Sequence, residues 1–187
     1  MSKTLIVVDM QNDFITGPLG TPEAVAIVPK VKAKIEEAVR NGDQIIYTRD
    51  THFTDYLGTR EGKKLPVEHC ILHTQGWQIH DELLPPDDYQ KVYILNKYTF
   101  GSDDIPWAFR ALVTAPNGDL ACDEIELVGV CTNICVVSNA LLLNTAYSER
   151  CEITVDATCC AGTTPENHEA ALKVMESCQI NVKRGRT

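Results

Sequence analysis

The sequence lacks any apolar run near the ~20 residues that a membrane-spanning helix needs. It has no G-x-G-x-x-G after its first apolar run and no G-x-x-x-x-G-K-[ST], so dinucleotide and nucleoside-triphosphate readings miss their usual loops. Positive charge is scarce: 17 Lys and Arg stand against 26 Asp and Glu, a net charge of −9. That balance argues against nucleic acid or an anionic membrane as the main partner. The eight cysteines (Cys70, Cys122, Cys131, Cys135, Cys151, Cys159, Cys160 and Cys178) contain no C-x-x-C pair, which speaks against a zinc site built from cysteine alone. No signal-peptide pattern precedes the first apolar run, so a cytoplasmic chain with reduced thiols in catalytic or packing roles is expected. Repeats, low-complexity tracts and linkers are missing too. With 44% apolar and 23% charged residues, residues 1–187 read as a single domain with one substantial core.

What is there is an alternation of short apolar runs and amphipathic stretches. Residues 5–8 (Leu-Ile-Val-Val) look like a strand buried on both faces, ending in Asp9. Gly17, Pro18, Gly20 and Pro22 mark a loop. A helix is expected from near Pro29 to a stop at Gly42, with Val31, Ile35, Ala38 and Val39 on one face. Residues 45–47 form the second strand, ending at Arg49-Asp50, and residues 92–95 the third, ending at Asn96-Lys97. Between them, residues 51–86 are polar and irregular, and a loop that long in a compact domain is usually functional. Residues 105–113 read as a helix, 116–119 as a turn and 125–130 as the fourth strand. Thr132 and Asn133 are both N-cap types ahead of a helix that opens at Cys135 and runs to about Tyr147. Residues 153–155 form the fifth strand, ending at Asp156. Thr164-Pro165 opens a last helix with Ala171, Leu172, Met175 and Cys178 on one face, and residues 180–182 follow as a sixth strand. The pattern predicts an α/β fold: a three-layer α-β-α sandwich around a mainly parallel sheet of about six strands, joined by right-handed crossovers.

Sites in such sheets lie beyond the carboxyl ends of the strands. Those ends carry Asp9, Asp50, Lys97 and the junction from Cys131 to Cys135. Each has a plain alternative. Asp9 could cap a turn, Asp50 could pair with neighbours of Arg49, Lys97 could be a solvated charge, and Cys135 could be a small buried apolar residue. Together they bring an acid, a cation and a thiol to one rim. A thiol in a first helical turn sits at the positive end of the helix dipole, a setting that favours thiolate. A cysteine nucleophile needs a base and a partner for the resulting charge, which Asp9 and Lys97 can supply. The backbone N–H groups of Cys131 and Cys135 are candidate oxyanion donors. A second cluster is Asp50-x-His52 with Glu61, His69, His73 and His80 downstream. Carboxylate and imidazole sets suit zinc, iron or manganese, although polar loops also carry such residues without a metal. Pro66 could bend the chain so that His69 points inward. His73 and His80 are not read as ligands.

Three segments resemble the motifs of the isochorismatase-like cysteine hydrolases, most closely the nicotinamidase (pyrazinamidase) branch. They are Val7-Val8-Asp9-Met10-Gln11-Asn12-Asp13-Phe14, Asn96-Lys97 followed by Tyr98-Thr99-Phe100-Gly101-Ser102, and Gly129-Val130-Cys131-Thr132-Asn133-Ile134-Cys135-Val136. The likeness covers essentially the whole chain. The last helix resembles the family's too, including His168, to which no chemistry is assigned. The resemblance implies Asp9 as acid and base, Lys97 as its partner, Cys135 as nucleophile and a cis peptide at Val130–Cys131. It also implies one divalent metal, zinc first and iron or manganese otherwise, held by Asp50, His52 and His69 with Glu61 as the fourth ligand. The implied reaction is hydrolysis of nicotinamide to nicotinate and ammonia through a thioester, a step of NAD salvage. The partner is then a small amide, and a homo-oligomer is expected because family members commonly assemble. The chain departs from the pattern around the substrate. The segment from Pro66 to His69 is one residue longer than usual, Leu65 stands where an aromatic residue usually stacks on the pyridine ring, and His73 replaces a glycine. Phe14, Leu65 and Phe100 are the candidates for substrate binding. Two alternatives are a metal-free cysteine amidohydrolase of a carbamoyl or ureido compound, and a non-catalytic metal or thiol protein on the same fold. The isochorismatase reaction itself breaks a vinyl ether and would not need Cys135.

Overall fold

The computed structural model describes residues 2–185; Met1, which begins the segment leading into the first strand, lies outside them, as do residues 186–187. The apolar runs form six strands: β1 (Lys3–Val8), β2 (Gln44–Asp50), β3 (Val92–Lys97), β4 (Glu124–Val130), β5 (Glu152–Ala161) and β6 (Asn181–Lys183). All pair in parallel, in the order β3-β2-β1-β4-β5-β6. Five helices join them: α1 (Asn12–Ile15), α2 (Pro22–Asn41), α3 (Ile105–Val113), α4 (Val137–Tyr147) and α5 (Pro165–Ser177). Side chains alternate across each strand. Leu5 and Val7 therefore pack with α2, while Ile6 and Val8 pack with α3, α4 and α5. The sheet is covered on both faces, which is why β1 is apolar at every position from Leu5 to Val8. The α/β class and the three layers agree with the sequence pattern. Strand order reverses between β1 and β4, and the carboxyl ends at such a switch are where sites in open α/β sheets lie.

Several expected boundaries move. α2 starts at Pro22, not near Pro29. Thr21 caps it by accepting the N–H of Ala24 at 3.0 Å, and a proline in the first position has no intrahelical N–H to lose. Pro29 lies inside the helix, where burial of Ala24, Ile27, Val28, Val31, Ile35 and Ala38 offsets its missing hydrogen bond. Gly42 ends the helix at φ +70°, as expected of a C-terminal glycine. β5 does not stop at Asp156 but continues to Ala161. Asp156 Oδ1 accepts the N–H and hydroxyl of Thr158 at 3.0 and 2.6 Å, a local kink after which β5 rejoins β4 with a shifted register. Thr132 and Asn133 do not cap a helix; they lie within a tight π-type turn, Thr132–Val136, ahead of α4. Cys178 follows the end of α5 and is exposed, so the buried face of that helix is Ala171, Leu172 and Met175.

The peptide between Val130 and Cys131 is cis, as the resemblance implies. Just before it, Gly129 adopts φ +120°, and a Cβ there would stand 2.1 Å from Val8 O. Only glycine lets β4 lie this close to β1 at this end of the sheet. The stretch between β2 and β3 contains two short 3₁₀ turns, Tyr56–Gly58 and Asp81–Leu83. It buries Cys70, Trp77, Ile79 and Leu83 on the α2 side, and the Tyr47 hydroxyl donates to Leu83 O at 2.6 Å. Among the described residues no helix is long and apolar enough to cross a membrane.

Candidate active site

Parallel register brings the strand ends level: Asp50 and Lys97 are direct neighbours on β2 and β3, and Asp9 follows the last residue of β1. Asp9 turns through φ +49°, and its Oδ1 accepts the Thr48 hydroxyl at 2.6 Å. Lys97 Nζ lies 2.7 Å from Asp9 Oδ2, 3.2 Å from Asp50 Oδ1 and 3.5 Å from Cys135 Sγ. All four residues are buried. Lys97 is therefore not a solvated charge but the shared cation of two carboxylates and a thiol. Asp9 Oδ2 takes no aligned hydrogen bond even though Lys97 stands beside it. It is the oxygen left to accept a proton.

Burial sets the protonation states. It pushes the Asp9 pKa up, and Lys97 only partly counters it. Burial opposes the charge on Lys97, but Asp9, Cys135 and Asp50 outweigh it and hold the ammonium well above its ordinary value. Cys135 is also pushed well above the ordinary thiol value, first by burial and then by Asp9 and Asp50, with Lys97 opposing. The expected push toward thiolate at a helix start is opposed here by desolvation and two carboxylates, which favour the protonated thiol.

The second cluster adjoins the first through Asp50. Asp50, His52, Glu61 and His69 offer ligand atoms that all lie within 4.8 Å of one another. Asp50 Oδ2 is 3.1 Å from His52 Nε2 and 3.6 Å from His69 Nε2, and Glu61 Oε1 is 3.7 Å from both imidazoles. Tetrahedral ligands at zinc bond lengths of about 2.0–2.2 Å stand roughly 3.3–3.6 Å apart, so the donor set has the size and chemistry for a divalent ion. His69 Nδ1 lies 2.8 Å from Val67 O, which turns Nε2 toward the other donors. Burial works against ionisation of Asp50, but Lys97 and the two imidazoles hold its carboxyl well below the usual range. His73 instead packs edge-on against Trp77, and His80 Nδ1 sits 2.9 Å from Asn12 Oδ1.

The substrate candidates differ in position. Phe14 is buried with its ring edge-on to His69, centroids 5.5 Å apart. Leu65 is 38% exposed and its carbonyl accepts the Tyr56 hydroxyl at 2.9 Å. Phe100 is 45% exposed, and its carbonyl accepts from Asn139 Nδ2 at 3.3 Å. Cys131 and Cys135 bracket the turn after β4, and Cys131 O accepts the N–H groups of Ile134 and Val136 at 3.0 and 3.1 Å.

Two supporting residues escaped the sequence reading. Gln11 holds both backbone groups of Asp50: its Oε1 accepts Asp50 N–H at 2.7 Å and its Nε2 donates to Asp50 O at 2.9 Å. The same amide nitrogen donates to Trp77 O at 2.9 Å. Asn139 ties the lysine loop to the helix behind the thiol, accepting Ser102 N–H at 3.0 Å and donating to Cys135 O at 2.8 Å. Gly101 permits this approach, since a Cβ there would stand 2.9 Å from Leu142 Cδ1. The available signal was a buried-type run from Val136 to Leu143 interrupted by Ser138 and Asn139.

Known proteins share this arrangement of strands. The family model of the isochorismatase domain matches residues 3–184. A nicotinamidase of Saccharomyces cerevisiae is 27% identical over 173 residues, covering 74% of this chain and 80% of that protein. The crystal structure of a pyrazinamidase of Pyrococcus horikoshii in complex with zinc aligns at TM-score 0.80 and 29% identity, covering 99% of this chain and 100% of that one. An N-carbamoylsarcosine amidase from Thermoplasma acidophilum aligns at TM-score 0.76 and 27% identity, covering 98% and 96%. A family match that takes in all six strands and the rim bearing Asp9, Lys97 and Cys135 means that the chain belongs to the isochorismatase domain family.

Proposed function

We propose that this protein is a metal-dependent cysteine amidohydrolase of a small carboxamide, with nicotinamide as the leading substrate. The observation that carries the reading is Lys97 Nζ within 3.5 Å of Asp9, Asp50 and Cys135 at once, beside a four-residue donor set. Resemblance to nicotinamidases and to a pyrazinamidase that binds zinc supports the substrate class and the metal. Sulfur attacks the amide carbonyl as the thiol proton passes to the Asp9 carboxylate, so sulfur carries negative charge only when substrate is present. Lys97 balances the charge on Asp9 and sulfur. The N–H groups of Cys131 and Cys135 hold the tetrahedral oxyanion. Asp9 then protonates the departing nitrogen, ammonia leaves and a thioester remains. Water gives a proton to Asp9 and attacks the thioester; the C–S bond breaks, the thiol regains its proton and the carboxylate leaves. A divalent ion on Asp50, His52, Glu61 and His69, zinc before iron or manganese, would supply an electrophilic contact that orients a ring nitrogen. Phe14 is a wall of the substrate site, with Leu65 and Phe100 at its mouth.

Cys135→Ala is expected to abolish ammonia release from nicotinamide and pyrazinamide while metal content by elemental analysis stays near one per chain. Ammonia release at the wild-type rate from that variant would sink the nucleophile assignment. A metal-free carbamoyl amidohydrolase is the second reading, favoured by the likeness to N-carbamoylsarcosine amidase and by Leu65 in place of a stacking aromatic residue. It predicts release from carbamoyl compounds that survives chelation. On the leading reading the enzyme is a single-domain homo-oligomer acting in the cytoplasm on a step of NAD salvage. Exposed apolar residues on edge strand β3 (Tyr93, Ile94) and on α3 (Trp107, 70% exposed) support assembly, which light scattering would detect as a mass above 20.7 kDa.

A further inference from the structure

His168 has no task in the reaction above, yet it is bonded to the turn that carries the nucleophile. Its Nδ1 lies 2.8 Å from Thr132 Oγ1, and Thr132 is fully buried at the head of the turn Thr132–Val136. Thr132 is a capping residue type, and in a regular helix start its hydroxyl would accept the N–H two or three residues on, that is, of Ile134 or Cys135. Here no side chain caps the turn. The backbone bonds to Cys131 O come from Ile134 and Val136 and pass over Cys135. The neighbouring capping type is drawn away as well. Asn133 Oδ1 accepts the N–H of Thr163 at 2.9 Å, and Asn133 Nδ2 donates to the Thr163 hydroxyl at 3.1 Å. Gly162 lets the chain pass close to His168, because a Cβ there would stand 2.9 Å from both Cβ and N of His168.

The geometry points to His168 as a positioning residue that holds the Thr132 hydroxyl away from the Cys135 N–H, keeping that N–H open for the substrate's oxyanion. The inference rests on the reading of Cys135 as nucleophile and oxyanion donor. Burial also pushes the His168 pKa down, which favours a neutral imidazole; with its proton on Nδ1 the ring donates to the Thr132 oxygen and takes the lone pair that an N–H of the turn would otherwise meet. When the imidazole is lost, the buried Thr132 oxygen has lost its donor, and the helix-start geometry open to it takes up an N–H of its own turn, the one that catalysis needs.

The test is a suppression experiment with nicotinamide and pyrazinamide. His168→Phe is expected to lower kcat about 10- to 100-fold, less than or comparable with outright loss of an oxyanion donor, with KM within about twofold. Thr132→Val, which has no hydroxyl to fall back, is expected to keep kcat within about threefold of wild type, and adding it to His168→Phe is expected to restore most of the loss. His168→Asn, whose Nδ2 offers a donor in place of Nδ1–H, is expected to rescue too. A merely structural role makes the double variant as poor as His168→Phe or poorer, and that result overturns the inference, as does wild-type kcat in His168→Phe. If His168→Phe does not fold, His168→Leu takes its place. The Cys135 backbone ¹H–¹⁵N resonance gives the same answer without substrate. It is expected to shift in the His168 variant and to return in the double variant; an unmoved resonance overturns the proposal. If the wild type hydrolyses none of the amides, the reading of function fails, while this resonance still decides the role of His168.

Discussion

Lys97 concentrates the chemistry of the rim in one side chain. Its ammonium is the only cation within ion-pair distance of Asp9 and Asp50 among the described lysines and arginines. Removing one partner of a buried ion pair leaves uncompensated charge, a loss of roughly 3–5 kcal/mol. Lys97→Met is therefore expected to lower unfolding stability by about that amount, read from urea denaturation, and to abolish ammonia release. Unchanged stability would mean that the carboxylates are not both ionised. At this scale the sequence was a good guide to which residues meet at the rim and a poor one to the burial that shifts their pKa values. Asp9, Lys97 and Cys135 are visible because each is a polar or reactive residue that follows an apolar run. Their pKa values are not, because the burial and the neighbours that set them arrive from 38 positions away, as for Lys97 and Cys135, up to 126, as for Asp9 and Cys135.

Elements hold the candidate metal donors and the thiol in place through bonds that no local pattern announces. Gln11 grips Asp50 from 39 positions away, much as an adjacent strand would, and so aims the carboxylate by fixing its backbone. Gln11→Leu should weaken metal binding by about 10- to 100-fold, as loss of an outer partner commonly does, measured by competition with a chromogenic chelator. An unaltered affinity would show that Asp50 is held without it. Helix and strand boundaries tell the same story. α3 and the stop of α2 at Gly42 follow from periodicity and from the conformational freedom of glycine. The start of α2 was hidden because Pro29 looks like a helix opener, whereas packing of Ala24, Ile27 and Val28 on the sheet extends the helix around it. The end of β5 was hidden because Asp156 and Thr158 make a local turn that pairing with β4 overrides.

Across the whole molecule, charge is also buried far from the rim. Glu126, fully buried on β4, pairs with Lys3 and with Lys34 of α2, and Lys34 also reaches Asp156 at 2.9 Å. Burial opposes ionisation of Glu126, but the two lysines outweigh it and hold its pKa below the ordinary 4.5. A carboxyl depressed in the folded state stabilises above its unfolded pKa and loses that contribution as pH falls through the folded one. The stability gap between wild type and Glu126→Gln, expected to be a few kcal/mol at neutral pH, should therefore narrow as pH drops below about 4.5. A gap that stays constant down to pH 3 would exclude the ion pairs as its source. The sequence by itself determined the parallel α/β sandwich and the residues at its strand ends. Strands buried on both faces must be continuous apolar runs, and whatever follows them must sit at one rim. Only the tertiary structure decided that burial and two carboxylates face the Cys135 thiol, that Glu61 lies beside His52 and His69, and that Thr132 turns to His168 instead of capping its own turn. Each of those depends on which distant groups exclude water and which atoms come within bonding distance once the chain has folded.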